Sequence, residues 1–107
     1  MATQHTEKQQ ILDWLAASQG DMLQLLERLV NIDSWSYDKA GVDRVGEALA
    51  EFLEGHGIDV TRMPVETHGD SFRASVGAAA GNRPIMLLGH RDTVFPTGEV
   101  AKRPFRS

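Results

Sequence analysis

The chain has 107 residues, 41% of them hydrophobic and none a cysteine, which suits one modest core and excludes a disulfide framework or a thiolate metal site. Fifteen acidic residues against eleven basic ones leave a net charge of −4, and the basic side chains are scattered, so nucleic acid is excluded as an expected partner. The polar opening "MATQHTEKQQ" lacks the apolar centre of a signal peptide, and no apolar run approaches the ~20 residues of a membrane span; the expectation is a soluble, cytoplasmic protein with no membrane partner.

Thr6 followed by Gln9 has the form of a capping box, and Ile11, Leu12, Trp14 and Leu15 recur behind it at helical spacing, so a first helix is predicted from about residue 6. Gly20 weakens the pattern. Met22, Leu23, Leu25, Leu26, Leu29 and Val30 then resume it in steps of three and four to about Asn31, as one bent helix or two. "NIDSWSYDKAG" reads as a loop, after which Val42, Val45, Leu49, Phe52 and Leu53 mark a further helix that Gly55 and Gly57 stop. Trp14 falls on the apolar stripe and is expected in the core, while Trp35 and Tyr37 fall in the loop.

Beyond that helix the period changes. "IDVTRMPV" has the β-branched content of a strand, with Pro64 at its edge or end, and "SFRASVG" alternates Phe72, Ala74 and Val76 against Ser71, Arg73 and Ser75. A hairpin-like pair between residues 58 and 77 is expected, with "GAAAGNRP" turning the chain afterwards. Residues 85–88, in "IMLLG", are apolar at every position, the pattern of a strand covered on both faces in the middle of an α/β sheet. Helices followed by three strands predict an α/β fold, and specifically the opening of one, because "AKRPFRS" supplies no element to cover the second face of that central strand.

In α/β sheets ligands bind beyond the carboxyl ends of strands, and His90 and Asp92 stand at such an exit. Extended backbone would project both to one side, and a carboxylate beside a metal-binding histidine fixes its ring and tautomer. The spacing is equally that of a hydrogen-bonded histidine at a strand end followed by a turn-forming aspartate, since one His and one Asp fall short of the three or four ligands of a metal site. His5, His56 and His68 read as solvated surface residues. Ser34 and Ser36 lack the G-x-S-x-G elbow of a serine hydrolase, and "GAAAG" is followed by Asn82 and Arg83 and not by the residues of a phosphate loop.

Taken whole, "LLGHRDTVFPTGEVAKRPF" resembles the first metal-binding motif, Gly-His-x-Asp-Thr-Val, of the zinc-dependent exopeptidase family of aminoacylases and glutamate carboxypeptidases. The upstream run "LLERLVNIDSWSYDKAGVDRVGEALAEFLEGHGIDVTRMP" is similar to that family's amino-terminal segment in its glutamate carboxypeptidase-like branch, so the resemblance extends from about residue 10 onward. Where this chain has Trp35 the family usually carries a small residue.

The resemblance implies that residues 1–107 are the amino-terminal, incomplete portion of a three-layer α/β/α metallopeptidase catalytic domain. It implies His90 as a ligand of one zinc in a two-metal site and Asp92 as the catalytic-site residue that orients that histidine. The whole enzyme would cleave an amide bond in a small peptide or N-acyl amino acid by a water activated between two zinc ions, with cobalt or manganese as alternatives and a homodimer as its assembly. The bridging aspartate, the general-base glutamate and the remaining ligands of the family lie beyond its first motif, so the chain alone is expected to be inactive. The competing expectation is a non-catalytic binding or regulatory module that keeps the scaffold without the chemistry.

Overall fold

The computed structural model describes residues 6–77, 81 and 83–106. Its architecture is mixed α/β: helices α1 (Glu7–Ala17), α2 (Gln19–Val30) and α3 (Lys39–Gly55) come first, then strands β1 (Val60–Met63) and β2 (Ser71–Ala74), then a single helical turn, α4 (Glu99–Lys102). This order is compatible with the opening part of an α/β domain. His5 and half of the "GAAAGNRP" turn, residues 78–80 and 82, lie outside the described residues.

The first helix starts where the sequence places it. Thr6 Oγ1 accepts the Gln9 N–H at 3.1 Å, satisfying one of the orphan donors of the first turn, while the Gln9 side chain donates onward to Asp13 at 2.9 Å and leaves the box one-sided. The break between α1 and α2 falls at Ser18 (φ −95°, ψ 2°) and not at Gly20, which sits inside α2. Ser18 still donates to the Trp14 and Leu15 carbonyls, so two helices follow one another directly, the second of the two expected forms.

Two stretches of local chemistry set the register of α3. Asp38 caps it, its side chain accepting the Gly41 N–H at 3.1 Å, so the helix begins at Lys39, inside the stretch expected as loop. Beyond its end Gly57 adopts φ +78°, a left-handed conformation that redirects the chain toward β1. Val42, Val45 and Ala48 lie in steps of three along one face and are the buried apolar centre of the molecule, 3–5% exposed. That face packs against α2 on one side and the hairpin on the other.

β1 and β2 form the expected antiparallel pair, with Val60 opposite Ala74, Arg62 opposite Phe72 and Met63 opposite Ser71. Asp70 closes the intervening loop by accepting the Val65 N–H at 2.9 Å. Of the three residues expected inward on β2 and just beyond it, only Phe72 is half-buried. Ala74 is exposed and Val76 is 77% exposed, because α3 covers the hairpin only near Phe72.

The apolar run 85–88 departs most from expectation. It joins no ladder among the described residues, and its four side chains are 84–93% exposed. An all-apolar strand is stable only when neighbours hydrogen-bond its edges and cover its faces, and none of the described elements does either. Trp14, expected in the core, is 67% exposed because, among the described elements, α1 packs chiefly against α2. The radius of gyration, 17.2 Å, reflects this openness: a compact domain of this size would have ~13 Å.

After the apolar run the chain returns to the helices. Asn31 pairs with the backbone of Phe105 in both directions, at 2.9 and 2.8 Å, and Asp33 accepts the Val100 N–H at 3.1 Å. These bonds hold residues 100–105 against the end of α2 and the loop that follows it. No helix among the described residues is long and apolar enough to cross a membrane.

Candidate metal-ligand site

His90 and Asp92 meet. His90 Nδ1 lies 3.1 Å from Asp92 Oδ1 and 3.0 Å from the Asp92 carbonyl oxygen. Both partners are acceptors, so Nδ1 carries a proton, and in the neutral ring Nε2 is the nitrogen with a free lone pair. The imidazole side chain is 84% exposed, which leaves Nε2 accessible.

Arg91, between the two, faces the other way and anchors the segment. Its guanidinium lies 4.6 Å from the centre of the Phe72 ring, donates through Nε to the Val42 carbonyl at 3.1 Å, and donates through a terminal nitrogen to the Asp70 carbonyl. Gly46 on α3 makes room for this stack. Burial pushes the Arg91 pKa down, yet a guanidinium keeps its charge at any ordinary pH.

On the opposite flank, the loop before α3 grips the motif. Thr93 and Trp35 form a single parallel bridge, with the Thr93 N–H donating to Ser34 O at 2.7 Å and the Ser36 N–H donating to Thr93 O at 2.9 Å. The bridge delivers Ser36 Oγ to within 2.6 Å of Asp92 Oδ2. That hydroxyl, opposed by desolvation and aided by His90, holds the Asp92 carboxyl below its usual range, so Asp92 is an anion at neutral pH. Trp35 is half-buried and meets Tyr37 edge-on with ring centres 5.2 Å apart.

A network of charges beneath the site ties it to α3. Asp70, 7% exposed, accepts from Lys39 Nζ at 2.6 Å and from Arg62 Nε at 2.6 Å, and its own N–H donates to Asp43 at 2.7 Å. Lys39 foremost, then the Val65 N–H and Arg62, hold the Asp70 carboxyl well below the ordinary range, and the same contacts raise the pKa of both bases.

His90 borders two cavities. One, of about 250 Å³, is lined by polar groups including Ser36, His68, Asp70 and Asp92; the other, of about 550 Å³, is walled largely by apolar side chains such as Leu29, Val45, Leu49 and Val100. His68 and His56 are exposed, as expected. Their Nδ1 atoms face the Thr67 hydroxyl at 3.0 Å and the Phe52 carbonyl at 2.8 Å. Neither has a carboxylate on its ring among the contacts described.

The donor set suits one corner of a metal centre. An imidazole with Nδ1 committed to a carboxylate and Nε2 open is the arrangement of a metal-ligating histidine, but the described residues hold no group of three or more His, Cys, Asp or Glu side chains able to enclose an ion. Ser36 and Arg91 fix the pair, and nothing in the sequence marks them for that role. Their partners lie 56 and 49 residues away along the chain, and no local pattern encodes such a separation.

Comparison with known proteins finds two carboxypeptidases. The chain is 33% identical over 87 residues to carboxypeptidase G2 of Pseudomonas sp. (strain RS-16), a match covering 79% of this chain and 21% of that protein. It is 40% identical over 76 residues to a probable carboxypeptidase of Emericella nidulans, covering 69% of this chain and 17% of that one. The similarity over these stretches is to carboxypeptidases. It spans about a fifth of the length of these relatives. No family model matches it.

Proposed function

We propose that this chain supplies one corner of the active site of a carboxypeptidase-like hydrolase, with His90 as a metal ligand through Nε2 and Asp92 as the group that orients it. The substrate class is a peptide or N-acyl amino acid with a free carboxylate, cleaved at an amide bond in a two-metal centre. The observation that carries this reading is the His90–Asp92 pair itself, with both acceptors of Asp92 on Nδ1 and Nε2 left open. A zinc ion bound there would polarise the amide carbonyl and lower the pKa of a water, and cobalt or manganese accept the same ligands. Asp92 keeps the ring from rotating and raises the basicity of Nε2. The two carboxypeptidases similar to this chain support the reaction class.

The test is a zinc titration of the 107-residue chain, followed through its imidazole nitrogen resonances. The His90 Nε2 resonance is expected to move at lower zinc than those of His56 or His68, and His90→Ala to remove the tightest site. Zinc shifts that begin at His56 or His68, or no shift at His90 up to millimolar zinc, would overturn the assignment. Because one ligand does not make a hydrolytic centre, the chain is expected to release no amino acid from an N-acyl substrate; sustained turnover by the purified chain would contradict the one-corner reading.

A further inference from the structure

We propose that Ser36 is a positioning residue for this site: its hydroxyl locks the Asp92 carboxylate in the rotamer that holds His90 in the Nδ1–H form. The inference rests on the reading of His90 as a metal ligand and extends it to a residue three elements away in the chain.

The geometry carries it in three steps. Ser36 is placed by backbone, because its own N–H and the Thr93 N–H complete the short parallel bridge that joins the two loops. Its Oγ then has two acceptors in reach, Asp92 Oδ2 at 2.6 Å and Thr93 O at 3.0 Å. A hydroxyl has one proton, and the shorter, charge-assisted bond to the carboxylate takes it. With Oδ2 so held, Oδ1 faces His90 Nδ1 at 3.1 Å and adds a charged acceptor to the Asp92 carbonyl oxygen, which meets the same nitrogen at 3.0 Å.

Without the hydroxyl the carboxylate is free to turn. The Asp92 side chain is 43% exposed, so water competes for both oxygens, and besides Ser36 the described groups that meet them are the His90 ring itself and the Asp92 backbone N–H. The serine therefore acts through Asp92 on a ring it does not touch.

The experiment uses Ser36→Ala, Ser36→Cys and Ser36→Thr in the metal-free chain, with the imidazole ¹⁵N shifts of His90 read at one pH above neutrality. In the parent chain Nδ1–H predominates. In Ser36→Ala the Nδ1–H to Nε2–H ratio is expected to fall at least threefold while circular dichroism stays unchanged, and zinc half-saturation at His90 to rise about tenfold, the lower end for loss of a group behind a ligand. Ser36→Thr keeps the hydroxyl and should restore both values. If the alanine variant fails to fold, Ser36→Cys decides: it preserves the volume with only a weak donor and should shift the tautomer in the same direction. Parent-like tautomer ratios in the folded alanine or cysteine variant would overturn the inference. A tautomer shift in a chain whose His90 ignores zinc would support the positioning role and overturn the ligand assignment, so the two fail separately.

Discussion

Gly46→Ala tests whether α3, Phe72 and Arg91 really form the seat of the motif. A methyl group built on Gly46 would lie 2.5 Å from Phe72 Cε1, 2.8 Å from Phe72 Cζ and 2.9 Å from Arg91 Nε. Carbon atoms pack at ~3.5–4.0 Å, so the ring must retreat by about 1 Å, and the guanidinium stacked on it must follow. Overpacking of this kind costs ~1–3 kcal/mol, against which alanine in a helix interior returns ~1 kcal/mol relative to glycine. The expected net effect is a loss of up to ~2 kcal/mol. Gly20→Ala provides the control, because a methyl group there meets nothing within 4 Å and should add up to ~1 kcal/mol. Urea unfolding by circular dichroism separates the two: with a slope of ~1–3 kcal/mol per molar, the midpoints should differ by about 1 M, Gly46→Ala the lower. The Arg91 side-chain N–H resonance should shift in Gly46→Ala and stay fixed in Gly20→Ala. If Gly46→Ala unfolds at or above the Gly20→Ala midpoint with Arg91 unmoved, the stacked arrangement is wrong.

Two further variants address the charge network and the exposed apolar run. Asp70 is an anion whose pKa is depressed by Lys39, the Val65 N–H and Arg62, so its contribution is complete above its unfolded value of ~3.9 and is lost as pH falls through its folded value. Acid unfolding should therefore steepen below about pH 4, and Asp70→Asn should lower stability at neutral pH while flattening the acid limb of the stability–pH curve. An unchanged acid limb in that variant would remove Asp70 from its central place. Leu87→Ser probes residues 85–88: with Leu87 93% exposed, the unfolding free energy of this chain should change by no more than ~0.5 kcal/mol, as for ordinary surface sites. A loss of ~2 kcal/mol or more would show instead that Leu87 is buried, as its apolar sequence context suggests.

Much of the local architecture was legible because it is encoded locally. Thr6 before Gln9, the apolar steps through Val42 and Val45, and the alternation around Phe72 each use a period or a cap that a few neighbouring residues define. Two features were not legible for the same physical reason. The exposure of Trp14 depends on what packs against α1, and the exposure of 85–88 depends on whether strands lie beside it; periodicity reports only that a residue is apolar, and its partners must come from elsewhere.

The site divides along the same line. His90 and Asp92 stand two residues apart, so their meeting follows from the motif, and the sequence alone determined which imidazole and which carboxylate could be paired. Whether the carboxylate is held, and by what, was decided by tertiary structure. Ser36 reaches Asp92 across 56 residues through the Trp35–Thr93 bridge, and Arg91 pins the same segment to the Val42 carbonyl across 49. Hydrogen bonds of that kind act over about 3 Å in space and have no period in the sequence, so only the fold could bring their partners together.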